Sequence, residues 1–151
     1  MKYIGKYKQG LMHGQGRLEF SSGLSYEGQF FYNCIHGIGT YKWLNGANYC
    51  GEVAVSNIAL QGTLTYGKLG ESVYYGQWES DYKHGEGSLV YKSGSTYRGC
   101  WFKGKRQGFG QAVLVTQNTY TGSFNEGKRN GYGVFNYATG ALFKVAGHFP
   151  S

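Results

Sequence analysis

Tyr74-Tyr75-Gly76-Gln77-Trp78, followed after a short gap by His84-Gly85-Glu86-Gly87, is the stretch on which the fold turns. Its first half, Tyr-x-Gly-x-aromatic, returns at Tyr3-Ile4-Gly5-Lys6-Tyr7, Tyr26-Glu27-Gly28-Gln29-Phe30, Tyr97-Arg98-Gly99-Cys100-Trp101 and Tyr120-Thr121-Gly122-Ser123-Phe124. A weaker copy reads Tyr49-Cys50-Gly51-Glu52-Val53, and a partial one reads Val145-Ala146-Gly147-His148-Phe149. The starts fall at 3, 26, 49, 74, 97, 120 and 145, so the interval is 23 residues except for two intervals of 25. Self-similarity at this period marks an array of small units, none of which buries enough apolar surface alone. The whole chain, 1–151, is therefore expected to be one array, with its third copy degenerate.

Each unit reads as a hairpin. With the first tyrosine of a copy as position 0, positions 0, 2 and 4 alternate as a strand with one designated face. Gly10, Asn33, Ser56, Asp81, Gly104 and Gly127 stand at position 7, and most of these residue types tolerate the backbone of a reversal. Positions 11 to 17 alternate again, as in Gly85, Gly87, Leu89 and Tyr91. A second turn centres on Gly23, Gly46, Gly94 and Gly140, and Asn45-Gly46 is a tight-turn signal. The reading is all-β: an elongated, twisted, single antiparallel sheet, a meander of successive hairpins. Pairing position 4 with 11 and 2 with 13 would set each Trp or Phe over a bare glycine of its own hairpin, offsetting the cost of glycine in a strand. In the third copy Val53 stands where the others have a ring and Ala59-Leu60 where they have His-Gly, so a bulge or bend is expected near residues 53–72.

Composition narrows the class. The 27 glycines are phased with aromatics, which disordered segments lack. Met1-Lys2 runs straight into the first copy, so no leader is expected, and no apolar run reaches the length of a membrane-spanning helix. Three cysteines, Cys34, Cys50 and Cys100, show no paired spacing and read as free thiols in a reducing compartment. The net charge of +7, from 15 basic and 8 acidic residues, suits an anionic partner without choosing one.

Tyr-x-Gly-x-Trp, a turn, then His/Asn-Gly-x-Gly at a 23-residue period resembles the MORN (membrane occupation and recognition nexus) repeat. The likeness is clearest at Tyr74–Gly87 and at Tyr120–Phe124 with Asn130-Gly131-Tyr132-Gly133. Gly10-Leu11-Met12-His13-Gly14-Gln15-Gly16, Tyr91-Lys92-Ser93-Gly94 and Tyr137-Ala138-Thr139-Gly140-Ala141 are most similar to the MORN-repeat subunits of ciliary radial-spoke heads. That resemblance implies a cytoplasmic scaffold within a cytoskeletal assembly, a cilium or flagellar axoneme, with other proteins of the assembly as partners.

Chemistry is not expected. His13, His36 and His84 share position 10 with Gln107 and Asn130, which asks for a hydrogen-bonding side chain rather than a metal ligand. The lone aspartate, Asp81, sits on a turn, and the Gly-x-Gly pairs lie within strands, outside any phosphate-binding context. Neither a catalytic residue nor a cofactor is therefore assigned. Two surfaces are. Lys103, Lys105, Arg106, Lys128 and Arg129 should project from one edge through the position-7 turns, as a site for an acidic partner or, alternatively, for acidic phospholipids bound weakly. Phe109, Val113, Tyr132 and Val134 form an apolar patch on the face opposite the rings, a candidate protein-docking surface. The end strands are further candidates for strand addition by a partner. Rings and Lys/Arg are expected on different surfaces, so nucleic acid is not expected as a partner.

Overall fold

The computed structural model describes residues 1–54, 57–67 and 71–145, and of residues 57–60 and 145 the backbone alone. The described residues form strands and turns without a helix: β1 (Lys2–Lys8), β2 (Leu11–Glu19), β3 (Ser25–Phe31), β4 (Cys34–Lys42), β5 (Asn48–Ala54), β6 (Asn57–Tyr66), β7 (Ser72–Glu79), β8 (Tyr82–Val90), β9 (Thr96–Phe102), β10 (Lys105–Val113), β11 (Thr119–Asn125), β12 (Lys128–Asn136) and β13 (Leu142–Val145). Strand order in the sheet follows the chain from β1 to β13, an antiparallel meander. By their contacts the residues group into two compact units. The first is Met1–Val73 with Trp78–Asp81, the second Tyr74–Gln77 with Tyr82–Ser151.

The turns follow from residue type. At positions 6 and 7 both residues take positive φ, as in Tyr32 (43°) with Asn33 (67°) and Lys103 (47°) with Gly104 (83°). This is the two-residue turn whose twist matches the flanking strands. The other turn closes through Phe20 N–H to Leu24 C=O (2.9 Å) and Gly23 N–H to Phe20 C=O (3.0 Å). Gln117 takes the glycine's place in one copy, with φ of 68°.

Register departs from the sequence expectation in one respect. Positions 2 and 13 do pair, as Gly28 with Gly39 and Gly99 with Gly110. Position 4 pairs with position 9 of its own hairpin (Trp101 with Arg106), not with 11, because the second strand carries extra residues opposite position 3. Gly108, at position 11, lies in that bulge with φ of 85°, and Gly37 does the same at 80°. These glycines answer a backbone requirement, not a ring. The ring at position 4 faces a glycine after all, but one in the preceding copy: Trp101 opposes Gly85, Phe30 opposes Gly14 and Phe124 opposes Gly108.

The side chain that lies flat on bare backbone is the tyrosine at position 0. A Cβ on Gly110 or Gly39 would fall inside the Tyr97 or Tyr26 ring. Each tyrosine hydroxyl then donates to the carbonyl at position 3, which the bulge removes from the ladder: Tyr49 to Glu52 (2.8 Å), Tyr74 to Gln77 (2.8 Å), Tyr97 to Cys100 (2.8 Å) and Tyr120 to Ser123 (2.9 Å). Position-4 rings meet these tyrosines edge to face. Trp101 touches Tyr97 of its own copy (centroids 5.2 Å apart) and Tyr74 of the preceding one (5.3 Å). The Trp101 Nε1–H donates to Gly87 C=O at 3.1 Å. Tyr26, Tyr49, Tyr74, Tyr97 and Tyr120 are the largest fully buried side chains.

The third copy keeps the same bulge, between Gly51 and Val53, so its departure is not a bulge of its own. Its longer interval is taken up between Tyr66 and Ser72, where Lys68, Leu69 and Gly70 lie outside the described residues, as does the Ser56 turn; the Ala59 and Leu60 side chains are likewise not described. At the far end Phe135 pairs with Phe143 and Gly133 with Val145. Phe143 therefore holds the place of the opening tyrosine, and the last copy starts there rather than at Val145; residues 146–151, with Gly147, His148 and Phe149, lie outside the described residues.

Two stability tests follow from the tyrosine clamp. Tyr97→Phe orphans the Cys100 carbonyl and should cost about 1–3 kcal/mol, while Gly110→Ala drives a methyl into the Tyr97 ring and should cost about 1–3 kcal/mol or more; urea titration reads both. Burial also pushes the Tyr41 phenol up to about 12, and pushes Tyr49, Tyr74 and Tyr97 further up. Unfolded phenols ionise near about pH 10, so the folded state binds more protons above that point. Stability is complete below about pH 10 and declines as pH rises towards the folded values. The urea midpoint should fall between about pH 8 and about pH 11, and fall less in Tyr97→Phe.

Candidate functional site

Positions 0, 2 and 4 of the first strand share a side with 9, 13, 15 and 17 of the second; positions 12, 14 and 16 point the other way. Position 10 is structural. His13 Nδ1 accepts from Tyr32 N–H (3.4 Å), and Gln107 Oε1 accepts from Glu126 N–H (2.8 Å), the equivalent backbone group four copies on. His84 instead lies against the Phe102 ring, with centroids 5.3 Å apart. Among the described residues no three His, Cys, Asp or Glu side chains come together as metal ligands would.

The five predicted basic residues separate. Lys103, Lys105 and Lys128 are exposed at the turn edge, as expected. Arg106 and Arg129 are not there. Strands β10 and β12 begin at position 8, three residues earlier than the alternation suggested, and this turns position 9 onto the ring side. The Arg106 guanidinium lies 5.6 Å from the Tyr97 centroid and 5.2 Å from that of Phe124, and donates through an Nη to Gly127 C=O. Arg129 lies 5.8 Å from Tyr120 and 4.8 Å from Phe135. Lys83 holds the same position over Tyr74 (5.3 Å) and Trp101 (5.2 Å), where burial lowers its pKa. Rings and cations thus share a surface, contrary to the sequence expectation. The signal was available: the parity of positions 13 and 15 extends backwards to 9.

The predicted patch lies on the opposite face of the second unit. Phe109 and Tyr132 are 63% and 80% exposed, and Val113 and Val134 are half-buried. They are not contiguous, because β11 runs between them: Ser123 pairs with Phe109, and Thr121 stands between Gln111 and Val134.

A larger feature was missed. On the ring side of the first unit an open cavity of about 670 Å³ is walled by Phe20, Leu24, Tyr41, Trp43, Leu64 and Trp78, with Asp81 at its lining. Position 9 here is Ile35, 5% exposed, so this position sets no cation over the rings. Tyr41 and Trp43 stack at 5.8 Å with planes 30° apart. The Tyr41 hydroxyl and the Trp43 Nε1–H meet no acceptor among the described residues, whereas Trp78 Nε1–H donates to Gly62 C=O at 3.2 Å. The Tyr41 phenol is raised chiefly by burial and further by the charges of Tyr26 and Asp81. An apolar wall with two open donors suits a ligand that brings carbonyls and apolar rings.

The MORN repeat profile matches residues 3–25, 26–47, 74–96, 97–119 and 120–142, passing over the third copy. Comparison with curated proteins returned no significant relative. Among solved structures the chain is similar to the TCP domain of SAS-4 (dCPAP) of Drosophila melanogaster, solved in complex with a proline-rich motif of Ana2 (dSTIL). The TM-score is 0.54 at 10% identity, over 88% of this chain and 72% of that one, a likeness of fold.

The two faces predict a contrast. Trp101→Ala should cost about 3–5 kcal/mol, whereas Phe109→Ala should shift stability by no more than about 0.5 kcal/mol. Chemical denaturation measures both, and equal losses would reverse the assignment of inside and outside.

Proposed function

Since the chain belongs to the MORN repeat family, whose members serve as interaction modules, we propose that it is a non-catalytic scaffold that docks extended protein segments on the ring side of its sheet. The observation that carries this reading is the cavity bounded by Tyr41 and Trp43, with an apolar wall and two open donors on a side that already supplies the sheet's core. A proline-rich segment matches it chemically: its pyrrolidine rings stack on aromatics, and its carbonyls accept where it has no N–H to offer. The fly domain of similar fold, solved with a proline-rich motif, supports the same class of ligand. Membership of a cytoskeletal assembly, such as the radial spoke of a ciliary axoneme, is the setting in which such a scaffold would work; it rests on sequence resemblance, and immunolocalisation in ciliated cells tests it.

A second reading, recruitment to acidic phospholipids, draws on the exposed Lys103, Lys105 and Lys128. At about 1 kcal/mol each they supply about 3 kcal/mol before immobilisation costs, less than five basic residues would. The two readings separate in one experiment. Titration with a proline-rich decapeptide should shift the tryptophan emission, and Trp43→Ala should abolish binding with little change in melting. Vesicles containing phosphatidylserine, sedimented at low and high salt, provide the opposing arm. Salt-sensitive vesicle binding without any peptide binding, lost when the three lysines are replaced by glutamine, would put the lipid reading in its place.

A further inference from the structure

The ring side of the second unit carries a different chemistry. Lys83, Arg106 and Arg129 occupy the same position in successive copies, on β8, β10 and β12, each set over aromatic rings. Between the two arginines lies a cavity of about 200 Å³ bounded also by Ala112, Leu114, Tyr120 and Phe124, and among the described residues no acidic side chain lines it. Both arginines are half-buried. Arg106 makes one hydrogen bond, to Gly127 C=O, and its remaining N–H groups meet no acceptor among the described residues. A guanidinium held against rings keeps its charge and its donor fork, which is the geometry that carboxylates bind.

Spacing adds a second constraint. Equivalent positions in adjacent copies are two strands apart, about 9.6 Å at the usual strand separation. A polyproline-II segment advances about 9.3 Å per three-residue turn. A segment running across the strands would therefore bring every third side chain over one copy. We propose that this row is a binding site for an acidic extended segment with Asp or Glu at every third residue, its carboxylates meeting Lys83, Arg106 and Arg129 in turn. The proposal rests on the docking role argued above and names the partner's charge and period for this unit.

Recessed cations favour a peptide over a membrane, because a flat headgroup layer meets the exposed lysines of the turns before it reaches half-buried arginines. Single-stranded nucleic acid fits less well. Trp101 and Phe124 each meet Tyr97 edge to face, and at 0%, 5% and 3% exposure Tyr97, Trp101 and Phe124 offer no face for a base to stack on beside Arg106; the exposed rings of this side, Tyr137 and Phe143, lie at the last copy, away from the Lys83 end of the row.

The test uses the full chain and three peptides of equal length: one with Glu at every third position among prolines, an isomer with the same glutamates contiguous, and an analogue with Gln in their place. By calorimetry at low salt the periodic peptide should bind at least about tenfold more tightly than either control, and lose that advantage at high salt. Arg106→Met and Arg129→Met keep an apolar stem over the rings, and should each weaken it by about tenfold while melting stays close to the parent; Lys103→Gln should not. The peptide substitutions test the idea even where a protein variant unfolds. Equal binding of the glutamine analogue would overturn the proposal and leave the docking role standing. So would tighter binding of oligo(dT) or of phosphatidylserine vesicles that depends on the same arginines, and so would absence of binding by all three peptides.

Discussion

The structure depends on one arrangement repeated copy by copy: a tyrosine ring laid over two facing glycines, with its hydroxyl closing on a carbonyl that the bulge has freed. Each part requires the others. The bulge re-aims the second strand but leaves the position-3 carbonyl outside the ladder in a part-buried place, where an unpaired acceptor costs about 1–3 kcal/mol. Only a side chain as long and flat as tyrosine reaches it from position 0, and only glycines at positions 2 and 13 let the ring pass, as Gly28 and Gly39 do for Tyr26. Glycine weakens a strand by about 0.5–1 kcal/mol relative to alanine; here the ring that covers the backbone offsets that loss. Within each unit the position-4 ring then carries the packing to the next copy, by meeting the tyrosine on either side of it.

Much of this was legible in the residues. The period, both turns, the meander and the side of the sheet that holds the rings follow from spacing and from the preferences of Gly, Asn and alternating aromatics. The pairing of position 4 was not legible, because alternation alone cannot reveal that His-Gly-x adds residues to one strand. Gly108 and Gly110 look alike in sequence and serve different needs, one a left-handed backbone and the other a close approach. The start of the last copy was misplaced for a related reason. Val145 sits in a recognisable Gly-x-aromatic string, whereas Phe143 shows its role only through its partner Phe135.

The basic residues teach the same lesson for the candidate site. Lys103, Lys105, Arg106, Lys128 and Arg129 form one cluster in sequence, yet a strand that begins at position 8 divides them between an exposed edge and the ring side. The cavity of the first unit had no motif to announce it. It arises where Tyr41, Trp43 and Phe20 stand on one side with Ile35, rather than a long cation, at position 9. Residues that look like core by period can thus be surface by depth, because among the described residues no second layer packs over the ring side of the sheet.

That absence of a second layer explains how a repeat so tightly constrained can still vary in the chemistry it presents. Positions 0, 2 and 13 are held by the clamp and leave little room for change, and position 11 is glycine in each of the first six copies except the third, where Leu60 stands. Position 9 touches the rings from above without entering the clamp, so its chemistry is free within the limit of a side chain that can lie on an aromatic face. Ile35 and Arg106 meet that limit equally, one as hydrocarbon and the other as a delocalised cation with an apolar stem. The same frame therefore sets Ile35 beside the apolar cavity of one unit and lays Arg106 and Arg129 over the rings of the other.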